Sequence, residues 1–386
     1  MPILPAWLEP RTAYVHIPFC GHQCGYCDFA VTAGRDHLIE PYLAALTIEL
    51  ERLGSPQSVE SLFLGGGTPT YLSAEQLDRL FVQLDRWLPR VGPTPEVSIE
   101  STPESLTAEK AIVLAAHGVN RVSIGVQSFQ AHLLEALDRR HGVADIPRAV
   151  EAVRKHLPVL SFDLIFAAPG QTAAEWDQDL ETALSFAPDH LSLYGLTYET
   201  GTPLWKDRRK GVLKVVCEED ELQFYRTGIE RLTAAGFEHY EVSNFARLGR
   251  RSIHNRRYWA NEAYHGLGVG AARYVHGSRE LNTRDIVAYI AKLTAGDDPT
   301  FQRETLEPRE RAFETIAVQL RRSEGILCEP FRGQTGYAVE DLIGSRLGFL
   351  VEQGLLESSA EAIRLTPRGR ELADGVTTDL LKAQRA

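Results

Sequence analysis

Six times between residues 12 and 196, a short apolar run gives way to a longer amphipathic one. The apolar runs are 12–17, 59–64, 96–100, 121–126, 160–166 and 190–196, each of strand length and each followed by helical periodicity. Leu38, Tyr42, Leu46, Leu50 and Leu53 fall on one helical face. The next helix begins at Ser73, with Gln76 three residues on, and continues through Leu77, Leu80, Leu84 and Leu88. Thr172 and Glu175 repeat that capping box. Strands separated by helices pair in parallel through right-handed crossovers. Six units are too few to close an eight-fold barrel, so the expected fold is α/β, an open (β/α)6 partial TIM barrel. Its reactive groups belong at the C-terminal ends of the strands.

The loop after the first strand reads Tyr14-Val15-His16-Ile17-Pro18-Phe19-Cys20-Gly21-His22-Gln23-Cys24-Gly25-Tyr26-Cys27. A tetrahedral zinc site asks for a fourth ligand and usually for two-residue knuckles. Three thiolates on one loop suit instead a [4Fe-4S] cube with one iron open to another ligand. A structural zinc loop completed by His16 or His22 is the alternative. Cys217 and Cys328 read as lone packed thiols.

Further polar positions fall at strand ends. Gly65-Gly66-Gly67-Thr68 follows the second strand, where glycines let a backbone approach a ligand. Glu100 ends the third strand, Gln127 follows the fourth, and Asp163 lies inside the fifth. A carboxylate in an apolar strand needs a partner or a ligand.

Among 386 residues, 44% are hydrophobic and 24% charged, ordinary values for a large domain plus a smaller one. No apolar run is long enough to span a membrane, and no basic-then-apolar leader is visible, so a cytoplasmic protein is expected. The net charge of −11 argues against a nucleic-acid partner, whose phosphates select a basic surplus. Met1 is the only methionine, so no internal thioether is available as a haem ligand.

The cysteine spacing, with an aromatic before the third cysteine, resembles the radical S-adenosylmethionine (SAM) superfamily. The longer string narrows the resemblance to oxygen-independent coproporphyrinogen III oxidases and their haem-chaperone relatives. It implies that Cys20, Cys24 and Cys27 hold a [4Fe-4S] cluster whose open iron is chelated by SAM. One electron from such a cluster cleaves the sulfonium to a 5'-deoxyadenosyl radical. The resemblance assigns Gly66, Gly67 and Thr68 to the methionine part of SAM. Glu100, Gln127, Arg139 and Asp163 take the remainder, with Tyr14 and Tyr26 near the cluster. Ala167-Ala168, where relatives commonly carry a glycine, is a departure that bears on local loop shape.

The oxidase class carries a further cysteine two residues after the third and a long N-terminal arm. Here that position is Phe29, and nineteen residues precede Cys20. The haem-chaperone class carries His-Asn-x-x-Tyr-Trp, present as His254-Asn255-Arg256-Arg257-Tyr258-Trp259. Histidine commonly ligates haem iron and aromatics stack on porphyrin. Arg247, Arg250, Arg251, Arg256 and Arg257 are candidate partners for haem propionates. A packed turn with a solvated arginine face is the alternative, and His265 and His276 are rival iron ligands.

The barrel and the segment bearing this string are expected to occupy residues 1–300, and a small helical, winged-helix-like domain residues 301–386. The latter holds 12 basic and 14 acidic side chains, so it is read as a cap over the barrel or a partner-docking surface. The sequence thus favours a haem chaperone that binds a [4Fe-4S] cluster, SAM and haem and passes haem to an acceptor protein. The rival is the oxidase, which decarboxylates porphyrinogen propionates; enzymatic SAM cleavage is left open. Peripheral contact with a membrane-bound acceptor and a homodimer are both compatible with the chain.

Overall fold

The computed structural model describes residues 5–382, so Met1 and the outermost residues of both expected domains lie outside it. Six strands appear where the alternation places them: β1 (Thr12–Ile17), β2 (Ser61–Gly66), β3 (Glu96–Ser101), β4 (Arg121–Gln127), β5 (Val159–Phe166) and β6 (His190–Gly195). They pair in parallel in that order. Three further strands complete a nine-stranded sheet. They are β7 (Glu238–His239), β8 (Asn244–Ala246) and β9 (His265–Leu267), giving the order β9-β1-β2-β3-β4-β5-β6-β8-β7. β9 extends the parallel array beyond β1, while β8 runs antiparallel to both β6 and β7. The curved sheet stays open.

The helices that return the chain are α1 (Ile39–Glu51), α2 (Ala74–Trp87), α3 (Ala108–Ala116), α4 (Ala131–Ala136), α5 (Asp145–His156), α6 (Ala173–Ser185), α7 (Pro203–Arg209) and α8 (Glu218–Ala234). Both capping boxes form: Ser73 and Gln76 at the start of α2, Thr172 and Glu175 at the start of α6. Each satisfies two otherwise orphaned N–H groups and fixes where the helix begins.

Strand side chains alternate between two faces. Ala13, Val15, Leu62, Leu64, Val97, Ile99, Val122, Ile124, Leu160 and Phe162 are fully or nearly fully buried in the main core, which also takes in the inner faces of the helices. The alternate residues turn inward and are largely polar: Glu96, Ser98 and Glu100 on β3, Ser123 and Gln127 on β4, Ser161 and Asp163 on β5, His190 and Ser192 on β6. Hydrogen bonds run between these strands, as in Ser123–Asp163 at 2.9 Å and Ser161–His190 at 2.8 Å.

Beyond β8 the chain forms α9 (Ile253–Trp259), β9, and a three-stranded sheet of β10 (Ala272–Val275), β11 (Ser278–Asn282) and β12 (Thr300–Thr305). Between β11 and β12, α10 (Ile286–Thr294) packs on α1 through Tyr289 and Tyr42. The C-terminal region has a separate core around Phe313, Ile316, Phe331 and Leu347. It comprises α11 (Pro308–Gln319), α12 (Cys328–Thr335), α13 (Val339–Glu352), α14 (Pro367–Glu371) and α15 (Ala373–Leu381). Its small sheet is β13 (Ile326–Leu327), β14 (Leu356–Ser358) and β15 (Ala362–Leu365), in the order β13-β15-β14. β14 and β15 pair as an antiparallel hairpin, and β13 adds to the far edge of β15. Gln319 and Gln334 both donate to the Ala260 carbonyl at the end of α9, at 3.0 and 3.1 Å. Among the described residues, no helix is long and apolar enough to cross a membrane.

Candidate functional site

A cavity of about 510 Å³ opens at the C-terminal ends of the strands, lined by Cys20, Cys24 and Cys27 on one side and by Glu100, Gln127 and Asp163 on another. Tyr26, Gly66, Gly67, Thr68 and Arg139 line it as well. All three cysteines are free thiols.

The cysteine loop is seated on the loop after β2. Gly67 N–H donates to Ile17 O at 2.9 Å and Thr68 N–H to Phe19 O at 2.8 Å. The glycines are needed for that approach. A Cβ on Gly66 (φ +109°) would lie 2.3 Å from the His16 ring, and one on Gly67 would lie 2.7 Å from Pro18 O. The Thr68 hydroxyl comes within 3.5 Å of Cys20 Sγ. On the opposite side Arg139 donates to Cys24 Sγ at 3.4 Å and to Gly125 O at 2.8 Å. Burial pushes the Cys20 thiol up to about 11, so the protein alone holds it protonated. A cationic metal centre is what converts such a thiol to a ligand.

Of the two histidines of the zinc alternative, His16 is engaged at both ring nitrogens. His16 Nε2 meets Ala30 O at 2.9 Å and its Nδ1 meets the Tyr14 hydroxyl at 3.0 Å. A carbonyl only accepts, so the proton sits on Nε2 and Tyr14 donates to Nδ1. His22 Nε2 pairs with Asp138 at 2.9 Å.

The carboxylates are strongly perturbed. Burial, reinforced by repulsion from Asp163, raises Glu100 to about 7, although its Oε2 accepts from Gly66 N–H at 2.9 Å. Burial raises Asp163 to about 6 against the Ser123 and Ser192 hydroxyls that favour its charged form. Two desolvated carboxyls facing one cavity gain from a cationic ligand. Gln127 holds a left-handed backbone (φ +65°) at a register shift in β4 and lines the cavity beside them.

The expectations for Tyr14 and the haem string meet a different geometry. Tyr14 does not line the cavity; it lies one layer deeper, its ring 6.1 Å from Phe63 and 6.4 Å from His254. His254 sits at the other end of the barrel. Its ring packs 4.9 Å from Phe63, its Nδ1 is 3.5 Å from the Ser61 hydroxyl, and burial lowers it to about 4. The α9 N-terminus is held by Glu96, which accepts from Ser252 Oγ at 2.9 Å, Ile253 N–H at 2.8 Å and His254 N–H at 3.2 Å. Asn255 and Trp259 are half-buried and Tyr258 is exposed, so the four residues of the string do not converge on one cavity. Four of the five nearby arginines are already engaged. Arg247 donates to Ala235 O, Arg250 lies 3.8 Å from Asp189, Arg251 pairs with Glu238, and Arg257 pairs with Glu60 and Glu262. His265 is buried and lowered to about 4; His276 is exposed at a hairpin tip.

Sequence reasoning missed Tyr194, which lines the cavity and is 43% exposed to it. The alternation of polar residues along β6 (His190, Ser192, Tyr194) was the available signal. Among the described residues, none that lines this cavity comes from the C-terminal domain, which packs instead on the end of α9.

The profile of the Radical SAM superfamily matches residues 14–183, and that of the HemN C-terminal domain matches residues 306–372. The chain is 36% identical over 371 residues to heme chaperone HemW of Bacillus subtilis (strain 168), an alignment covering 95% of this chain and 98% of that protein. It is 32% identical over 398 residues to the mitochondrial radical S-adenosyl methionine domain-containing protein 1 of Mus musculus, covering 98% and 89%. Coproporphyrinogen III oxidase (HemN) from Escherichia coli superposes with a TM-score of 0.84 at 23% identity, over 97% of this chain and 90% of that one, which establishes a shared fold.

Proposed function

The chain belongs to the radical SAM superfamily and, within it, to the family of heme chaperone HemW, and from that premise we propose that it is a cytoplasmic haem carrier. In this reading it holds a [4Fe-4S] cluster and SAM and delivers haem to an acceptor protein. The observation that carries the cofactor part is the meeting of three free thiols and two half-buried carboxyls in one cavity.

The donor set fits both groups. Cys20, Cys24 and Cys27 would ligate three irons, and the Arg139 guanidinium, already on Cys24 Sγ, offsets the anionic charge that thiolates and sulfides bring. Glu100 and Asp163 supply negative charge to the cationic ammonium and sulfonium of SAM. Thr68 and the backbone at Gly66 and Gly67 supply polar groups at close range. When bound, the cluster supplies single electrons to a cleavable sulfonium. The protein's share is to orient the two and to keep both carboxyls out of bulk water.

For haem the residues present do not fit. His254 is buried against Phe63 and lines no part of the cysteine cavity while α9 stays on Glu96, so in this reading the set His254, Asn255, Tyr258 and Trp259 would have to rearrange with α9 to converge on one iron. No haem-dependent step is derived from this conformation.

Support for a carrier over an oxidase comes from the curated relatives and from Phe29, which stands at the cavity edge where the oxidase pattern has a cysteine. Anaerobic incubation of the reconstituted protein with SAM, a reductant and coproporphyrinogen III should yield no protoporphyrinogen IX; its formation overturns the carrier-only reading. Cys24→Ala should lose cluster absorbance and bound iron while keeping its circular dichroism. Haem titration of wild type and His254→Ala tests the string: weakened binding supports ligation from an unseated α9, and an unchanged spectrum and affinity removes His254 as ligand.

A further inference from the structure

The carboxyl of Asp163 is the cavity end of a hydrogen-bonded chain that runs down the barrel interior. Ser123 Oγ on β4 lies 2.9 Å from Asp163 and 3.1 Å from Ser161 Oγ on β5. Ser161 Oγ lies 2.8 Å from His190 Nδ1 on β6, and His190 Nε2 lies 2.8 Å from the Tyr240 hydroxyl, between β7 and β8. Ser161, His190 and Tyr240 are buried, and neither they nor Ser123 line the cavity. Tyr240 is fastened by its backbone. Its N–H donates to Asn244 O at 3.2 Å, and its carbonyl accepts from Ser323 N–H of the C-terminal domain at 3.0 Å.

Proton counting gives the chain one direction. An ionised carboxylate only accepts, so the single Ser123 proton goes to Asp163 and Ser123 accepts from Ser161. The Ser161 proton is then spent, so Ser161 accepts from His190, whose proton sits on Nδ1. Burial and the nearby Arg121 guanidinium push His190 well below its ordinary value, so the ring is neutral and its bare Nε2 accepts from Tyr240. Ser192, the other hydroxyl beside Asp163, lies 2.8 Å from Asn244 Oδ1 and divides its proton between the two. Glu100, Arg139 and Tyr194 are the titratable groups that face Asp163 from other elements.

We propose that Tyr240 is a positioning residue for Asp163, acting through His190, Ser161 and Ser123 to keep its carboxylate charged for the cation of SAM. The inference rests on the SAM reading above. Every proton in the chain points toward the cavity, and each accepted hydrogen bond strengthens the next donor. A protonated Asp163 would turn its own proton on Ser123, whose displaced proton finds no acceptor while Ser161 is itself a donor. Without the Tyr240 hydroxyl, the imidazole is free to carry its proton on Nε2. Ser161 then turns its proton to Nδ1, and Ser123 loses its backing.

The test measures SAM binding to the full chain, its cluster reconstituted anaerobically and left oxidised, at about pH 6 and about pH 8. The variants are Tyr240→Phe, Ser161→Ala and the two together. Each single variant should bind SAM about threefold or more weakly near pH 6, where Asp163 is close to half protonated, with the gap closing near pH 8. The double variant should bind no worse than Ser161→Ala, because a cut chain leaves Tyr240 nothing to act through. Iron content and circular dichroism should match wild type. The proposal is overturned if Tyr240→Phe binds SAM as wild type does near pH 6, or if its deficit is equal at the two pH values. Additive losses in the double variant overturn it as well. Should Tyr240→Phe fail to fold, Ser161→Ala carries the same pH test alone. A wild-type chain that holds a cluster but binds no SAM at either pH sinks the SAM reading instead.

Discussion

The two ends of the barrel bury polar groups in different ways. At the floor, Glu96 accepts from a hydroxyl and two backbone N–H groups of α9 and lies 3.5 Å from Arg121 Nε. Arg121 donates in turn to Arg250 O, and His190 bridges Ser161 and Tyr240. Most of these floor groups are spent on one another, although Arg121 Nε and Nη1 have no hydrogen-bond partner and reach Glu96 only as an ion pair. At the mouth, Glu100 and Asp163 keep part of their valence toward a cavity and are held toward the neutral form by burial. A buried polar group satisfied from within the fold marks structure; one left wanting beside a cavity marks a ligand.

The largest expected effect is at the floor. Glu96→Ala orphans four donors, the Ser98 hydroxyl among them, and leaves Arg121 as an uncompensated buried charge, so urea unfolding should reveal a loss of about 3–5 kcal/mol. Cluster assembly in the surviving folded protein should be unaffected. A loss of cluster without a loss of stability would erase the distinction between the two ends.

Next, the ends should respond to pH with opposite sign. Glu100 keeps its proton to about pH 7 when folded but releases it in the ordinary carboxylate range when unfolded. The folded state binds more protons across that window, so stability from this group falls as pH rises, by up to about 1.4 kcal/mol per pH unit. Glu100→Gln should remove that slope and weaken SAM binding. His254, lowered to about 4, binds its proton later than in the unfolded chain. Its contribution is present above about pH 6.5 and is lost as pH falls toward 4. Unfolding curves at stepped pH for wild type, Glu100→Gln and His254→Ala separate the two. Parallel slopes would break the comparison.

The smallest effect lies between the ends. Tyr14→Phe removes the hydroxyl that Tyr14 donates to His16, at a cost of about 1 kcal/mol. Because the ring stays in place and does not face the cavity, SAM affinity should hold. A large fall in affinity would restore Tyr14 to the cofactor site.

Much of this was legible in the residues. The six strands announced themselves because each carries several apolar positions, and the helix starts because capping boxes are local. β8 and β9 hold three residues each, too few to display a period, and their pairing is decided by tertiary contact. At the site, Cys20, Cys24, Cys27, Gly66, Gly67, Thr68, Glu100, Gln127, Arg139 and Asp163 share the cavity because strand ends of a parallel barrel share a rim. Tyr14 and His254 come from the same barrel interior but from deeper layers. Depth along a strand axis is not written in motif spacing.

Ala167 gives the loop after β5 a thermodynamic meaning. It adopts φ +60°, the left-handed conformation glycine takes freely. An L-residue there costs roughly 1–2 kcal/mol. Against that, alanine has less freedom than glycine to lose from the unfolded chain, a gain of about 0.4–1 kcal/mol. The two effects largely cancel, so alanine can replace the usual glycine while the turn that starts α6 keeps its dihedral angles. At this position the chain keeps a left-handed torsion angle without a glycine.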